Sequence, residues 1–357
     1  MNLELSETQR MMQQSLSDFL ESEVSLDRIR DLERDQSWDA DLWKRLAEQG
    51  WLALSLPETE GGGGGTLTDL GLVVECLAGR AALVPVLEHA VCIRALQASE
   101  KHAHWIPRLM AGEVVCVPAV LEASDRWGEV TLVVDADGRL TGEKNFVDYG
   151  KQATHHLVAA SGREGVGLYL VETQGVQFES AMTIGRTPTG RVRYDATLAE
   201  KVGDDSSFQE LILLARCLAA VQCVGAMAES LKQAVRYAGL REQFGQPIGR
   251  FQAVRHHCAN MAIRVASARD LCFEGLSALQ AGDWDPVRIA AAKASASRAA
   301  PEVQMLAHQI HGGNGVIEEN DLYFFTLRGK ERSLAWGTVD ECLAVIAERV
   351  EKPVDWL

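Results

Sequence analysis

The sequence predicts an α+β multidomain chain in three parts: an N-terminal α-helical domain over residues 1–115, a central β-barrel or β-sandwich domain over 116–205, and a C-terminal four-helix bundle over 206–357. Three observations lead there. Apolar residues recur at helical spacing through the first third, short alternating runs separated by turn residues fill the middle, and long apolar-periodic segments joined by Gly and Pro turns occupy the rest. At 357 residues and 47% hydrophobic content, the chain can bury a substantial core.

In the first part, Ser6 is a helix N-cap whose capping-box partner is Gln9, and Met11, Met12, Leu16, Phe19 and Leu20 follow at helical spacing. A second helix, DADLWKRLAEQG, closes at Gly50. The run Gly61 to Gly65 reads as a solvent-exposed loop, or as one that orders on a ligand. From Val114 the texture changes. CVPAV, VTLVVDADGRLTGEKNFVDYG, THHLVAAS and GVGLYLVET have the length and alternation of strands, and Asp137-Gly138 marks a tight hairpin. The β texture continues through GRVRYDATL. From Ser206 a helical segment of about 35 residues begins, more than twice the average helix. GRFQAVRHHCANMAIRVASARDLCFEGLSALQAG and the Ala- and Ser-rich DPVRIAAAKASASRAAPEVQMLAHQIHGG come next, and TVDECLAVIAERVEK finishes the chain.

A formal charge of −15 and a pI near 5.1 argue against a nucleic-acid surface, which requires a basic stripe. One local basic stretch stands out, with Arg236, Arg241, Arg250, Arg255, His256 and His257. It reads either as a solvated helix face or as a place for an anion. The eight cysteines show neither metal-ligand spacing nor a disulfide pattern, so no metal site is expected. No apolar run approaches the roughly 20 residues that span a bilayer, and the first residues lack a secretory pattern. A cytoplasmic protein is the expectation.

The stretch Gln309 to Thr338 carries two glycine turns, QIHGGNG and Ala335-Trp336-Gly337-Thr338, around an expected helical hairpin. Glycine lets backbone approach a ligand closely, and it is also the usual helix stop. The domain order, together with R-x-x-F-G at Arg241 to Gly245, F-Q at Phe251-Gln252 and Q-x-x-G-G-x-G at Gln309 to Gly315, resembles the acyl-CoA dehydrogenase family of flavoproteins over the whole chain.

The resemblance implies FAD as cofactor, α,β-dehydrogenation of an acyl-CoA in lipid metabolism, and an acceptor such as an electron-transferring flavoprotein. It also implies a homo- or hetero-oligomer, dimer or tetramer. Arg241 and Phe244 would contact the FAD of a neighbouring subunit, with Gln309, Gly312, Gly313 and Thr338 as further cofactor contacts. Phe146 falls where an aromatic ring covers the flavin, and Asp148 where a hydroxyl usually meets it. The family's threonine-rich flavin loop survives only as fragments in PAVLEASDR, residues 118–126.

The family's catalytic glutamate would fall on Trp336. The alternative position, immediately before an arginine that corresponds to Arg216, is Ala215. Neither side chain takes a proton. Three readings stand open: a partner chain that brings the base, a displaced base among Glu210, Asp148, Asp340 and Glu341, or a catalytically silent structural or CoA-ester-binding subunit. Trp336 itself either packs between helices or walls an acyl pocket.

Overall fold

The computed structural model describes residues 4–350. The Ser6 hydroxyl accepts from the Gln9 N–H at 3.2 Å, and the Gln9 side-chain oxygen accepts from the Ser6 N–H at 3.0 Å. This capping box opens α1 (Glu7–Glu23). The helical first part continues with α2 (Leu26–Arg34), α3 (Ala40–Glu48), α4 (Leu67–Ala78), α5 (Val86–Gln97) and α6 (Ile106–Met110). Strands β1 (Cys116–Ala119), β2 (Arg139–Lys144), β3 (His155–Gly162), β4 (Gly165–Glu172), β5 (Gln177–Ala181), β6 (Thr189–Leu198) and β7 (Glu200–Gly203) form the middle. The last part holds α7 (Asp205–Leu240), the hairpin of β8 (Glu242–Gln243) and β9 (Gln246–Pro247), α8 (Gln252–Gln280), α9 (Pro286–His311), α10 (Leu322–Leu334) and α11 (Val339–Val350). The expected order of helical, β and helical parts is present. Between the two glycine turns lies one helix, α10, in place of the expected helical hairpin.

By contacts the chain divides into two compact units. One gathers Met1–Asp27, Gly71–Ala82 and Arg216–Leu357, the other Arg28–Leu70 and Leu83–Ala215.

The second of these units is built on two sheets, one ordered β1-β3-β4-β7 with β1 and β3 parallel, the other an antiparallel β2-β6-β5. Helices cover β1. His89 of α5 bonds the Leu109 carbonyl at 3.0 Å, and the Trp43 indole of α3 donates to the Gly112 carbonyl at 3.1 Å. The five-glycine run is a loop, as expected, with Gly61, Gly63 and Gly64 exposed, and its backbone is anchored. Its amides at Gly62, Gly63, Gly64 and Gly65 donate to the carbonyls of Pro57, Ala53, Leu56 and Leu54 at 2.8–3.0 Å. A Cβ on Gly62 would collide with the Leu56 backbone, so close approach is what demands glycine there.

VTLVV, expected as a strand, makes only the isolated bridges Val133–Ser161 and Val134–Leu140. The reason is local. The Thr131 and Leu132 amides donate to the Glu122 carboxylate, which takes the place of a strand partner. The end of the other arm of this expected hairpin, NFVDYG, is also irregular, because Phe146 and Tyr149 take left-handed φ of 48° and 56°.

In the first unit, α9 packs against α8, α10 and α11 through small buried residues that include Ala290, Ala292, Ala296 and Ala300. Helices from the start of the chain join this bundle. Arg269 of α8 holds Glu75 of α4 with two bonds of 2.8 and 3.0 Å, and Arg80 reaches Glu21 at 2.7 Å.

Against the expectation of no membrane-length run, α7 contains an 18-residue window apolar enough to cross a bilayer, and 89% of that window is buried in the protein. Its composition therefore serves the core. All eight cysteines are free thiols.

Candidate functional site

The bundle unit carries two groups of the expected site residues. At the end of α7, Phe244 and Gly245 form the two-residue loop of the β8–β9 hairpin with φ of 54° and 76°. Positive φ at both central residues is a type I′ turn, where a residue with a Cβ is strained. Phe244 is nevertheless 92% exposed, its ring meeting Phe251 edge-on at 6.0 Å. A strained aromatic displayed to solvent suits recognition better than packing.

Tyr237, one turn before Arg241, ties this hairpin to QIHGGNG. Its carbonyl accepts the Arg241 N–H at 2.8 Å, its ring stacks on His311 at 4.5 Å, and its hydroxyl accepts from Asn314 at 3.1 Å. Arg241, Phe244, Gln309, Gly312 and Gly313 are thereby gathered at one end of the bundle, and all are exposed.

The three glycines of QIHGGNG serve different needs. Gly312 has φ of 61°, and a Cβ on Gly312 or Gly313 would enter open space. A Cβ on Gly315 would meet the His311 side chain at 2.9 Å, so that glycine is fixed by packing. The Arg241 guanidinium makes no ion pair among the described residues. An exposed planar cation, an exposed ring and two glycines with room in front of them fit the phosphates and adenine end of a dinucleotide approaching from outside the chain. Of the basic stretch, Arg236, Arg250, Arg255 and His256 are also exposed, and Arg255 donates to the Gly249 carbonyl at 3.0 Å.

The second group surrounds the turn after α10. Trp336 has φ of 61°, Gly337 has φ of 125°, and the Trp336 carbonyl accepts from Arg216 Nε at 2.8 Å. A Cβ on Gly337 would sit 2.9 Å from that nitrogen, so the guanidinium fixes the glycine. The Trp336 indole is buried.

Thr338 starts α11 by a capping box. Its N–H donates to Glu341 Oε2 at 2.7 Å, and the Glu341 N–H donates to the Thr338 hydroxyl at 3.2 Å. These two side chains are engaged in holding the helix end, while Asp340 is exposed in its first turn. Ala215, buried in α7, is the residue before Arg216.

The β-containing unit holds the remaining expected residues. Phe146 is 53% exposed in the left-handed region, and Asp148 is half-buried. Glu210 lines a cleft of about 270 Å³ with Arg94, Ser207, Leu211 and Leu214.

A pair that the sequence did not disclose lies behind two of the expected flavin loops. Lys144 is fully buried and donates to Glu122 at 2.5 Å and to the Val120 carbonyl at 3.1 Å. It precedes the 145–150 loop, and Glu122 sits within the 118–126 loop. Burial alone pushes the Glu122 carboxyl up, but bonds from Lys144, Thr131 and Leu132 hold it below the ordinary carboxylate value. Burial pushes the Lys144 ammonium down.

Comparison with known proteins bears on these arrangements. Residues 6–113 match the N-terminal domain of acyl-CoA dehydrogenase and residues 206–351 its C-terminal domain. The chain is 29% identical over 297 residues to the acyl-CoA dehydrogenase IpdE2 of Mycobacterium tuberculosis, covering 82% of this chain and 81% of that one. Among solved structures, the ChsE4-ChsE5 complex of M. tuberculosis is 26% identical with a TM-score of 0.92, covering 99% of this chain and 100% of that one. The Tcur3481-Tcur3483 steroid ACAD is 28% identical with a TM-score of 0.90, covering 97% and 98%. With both terminal domains matched and the fold shared along the chain, this protein belongs to the acyl-CoA dehydrogenase family, a family of FAD-dependent oxidoreductases.

Proposed function

We propose that this chain is the base-lacking member of a heteromeric acyl-CoA dehydrogenase, completing the FAD site of a partner chain that carries the catalytic carboxylate. The observation that carries this reading is the contrast between the two groups in the bundle. Arg241, Phe244, Gln309, Gly312 and Gly313, the residues expected to meet a cofactor, are exposed at one end of the bundle, whereas the expected base position holds a buried indole. Two of the similar structures are named as complexes or two-protein assemblies, which supports a heteromer.

FAD, when bound, supplies the acceptor for the hydride that leaves the acyl β-carbon. Arg241 would hold its phosphates by charge-assisted bonds, Phe244 would lie against its adenine end, and Gly312 and Gly313 would admit it to the backbone. Proton removal at the acyl α-carbon falls to the partner, since neither Ala215 nor Trp336 accepts a proton. Glu341 is a poor substitute, because its carboxylate accepts from the Thr338 N–H and hydroxyl at the start of α11.

Arg241 is exposed, so its replacement should leave the fold intact. Arg241→Ala in the assembled protein is expected to weaken FAD binding about 10- to 100-fold, the worth of one or two hydrogen bonds to a charged group. Equilibrium dialysis of the flavin checks this, and unchanged retention would remove the role given to Arg241.

A further inference from the structure

Arg216 is 7% exposed, and the hydrogen bond it makes among the described residues is the one from Nε to the Trp336 carbonyl. No described carboxylate pairs with it. Its Nη1–Nη2 edge has no protein acceptor among the described residues, and Gly337 lies against the guanidinium, where a Cβ would come within 3.2 Å of Nη2.

Lys293, completely buried in α9, is close by and also has no acidic partner among the described residues. Its Nζ donates to the Arg332 carbonyl, while Arg332 itself pairs with Glu331 at 2.9 Å. Burial pushes the Lys293 ammonium down, and the positive Arg216 and Arg332 add to the effect. A lysine can shed its proton in such a place. An arginine cannot, so Arg216 keeps its charge, and a charge largely withdrawn from water favours a partner.

The open edge has two parallel N–H groups, the fork that a planar carboxylate fills with its two oxygens. A phosphate dianion can meet the same two N–H groups, but it brings a second charge and a further oxygen for which the turn shows no donor, so the single-charge carboxylate is the better match. We propose that Arg216 anchors an anion site at the Trp336–Gly337 turn and that its ligand is a small carboxylate. The site depends on neither bound flavin nor a partner chain, and so goes beyond the heteromer reading.

The test is thermal unfolding of the full chain in sodium acetate, propionate or benzoate, against sodium chloride and sodium phosphate at matched ionic strength. A saturable rise in Tm with a carboxylate, absent with chloride and weaker with phosphate, is expected. Arg216→Lys keeps the charge and loses the fork, and should move the half-saturating carboxylate concentration up by about tenfold or more. Three results would overturn the proposal: no rise in the natural chain, an equal rise with chloride, or an Arg216→Lys response indistinguishable from the natural one. A phosphate response as strong as the carboxylate one would overturn the choice of ligand. Because the natural chain alone can refute the site, the test survives a variant that fails to fold.

Discussion

Glu122→Gln should destabilise the chain by about 3–5 kcal/mol, the usual result of breaking a buried ion pair from one side. The Glu122 carboxylate accepts from Lys144, from the Thr131 N–H and hydroxyl, and from the Leu132 N–H. The amide keeps one acceptor oxygen but turns a donor toward groups that are themselves donors. It also removes the negative charge beside a fully buried ammonium, whose other partner is the neutral Val120 carbonyl.

The pH dependence follows from the direction of the Glu122 shift. A carboxyl held below its ordinary value of 4.5 contributes stability that is complete above that value. The contribution is lost as pH falls through the depressed folded-state value. Urea unfolding at neutral pH should show the full difference between the natural chain and Glu122→Gln. The difference should shrink in acid below the ordinary carboxylate range. Equal stability at neutral pH would mean that the pair holds nothing together. The loops at 118–126 and 145–150 share this anchor, so flavin retention should fall with stability.

Trp336→Glu should create proton-abstracting activity in this chain's own site where the natural residue permits none. The backbone there is held from outside the side chain, by Arg216 on the Trp336 carbonyl and by the Thr338–Glu341 capping box two residues on. Both Trp and Glu pay for the left-handed φ of 61°, so the exchange adds no new backbone strain. Replacing a buried indole by a smaller side chain leaves a cavity, and a loss of stability below the roughly 3–5 kcal/mol typical of Trp→Ala is expected. Burial would raise the new carboxyl toward neutrality while Arg216 draws it down. A positioned general base contributes about 10²–10⁴-fold, so acyl-CoA-dependent flavin reduction by flavin-loaded Trp336→Glu should exceed that of Trp336→Gln by that order. Glu and Gln variants that are equally inert, though folded and flavin-loaded, would show that the base position is not where the turn places it.

Local features were legible in the chain and long-range ones were not. The Ser6–Gln9 capping box spans three residues, and its geometry follows directly from the side-chain types. The five glycines gave no hint of order, because their bonds run back to Ala53, Leu54, Leu56 and Pro57 and need that segment already folded. VTLVV alternates like a strand, but a carboxylate nine residues upstream of Thr131 captured its first amides. Lys144 and Glu122 lie 22 residues apart, so neither announces the other. In QIHGGNG the motif was plain. Only coordinates separate Gly315, excluded from change by His311, from Gly312 and Gly313, which face open space. The occupants of the two expected base positions, Trp336 and Ala215, were read from the sequence directly, since neither side chain takes a proton.

Anaerobic flavin absorbance tests the base-lacking assignment most directly. The purified chain, supplied with FAD and mixed with acyl-CoA thioesters, is compared with the same chain co-purified with a family partner that retains the glutamate. No bleaching by the chain alone and rapid bleaching by the pair, lost on removing the partner's glutamate, is the expected result. Bleaching by the chain alone at the rate of the pair would contradict the assignment and point to a base supplied from within, with Glu210 in its cleft the first carboxylate to replace.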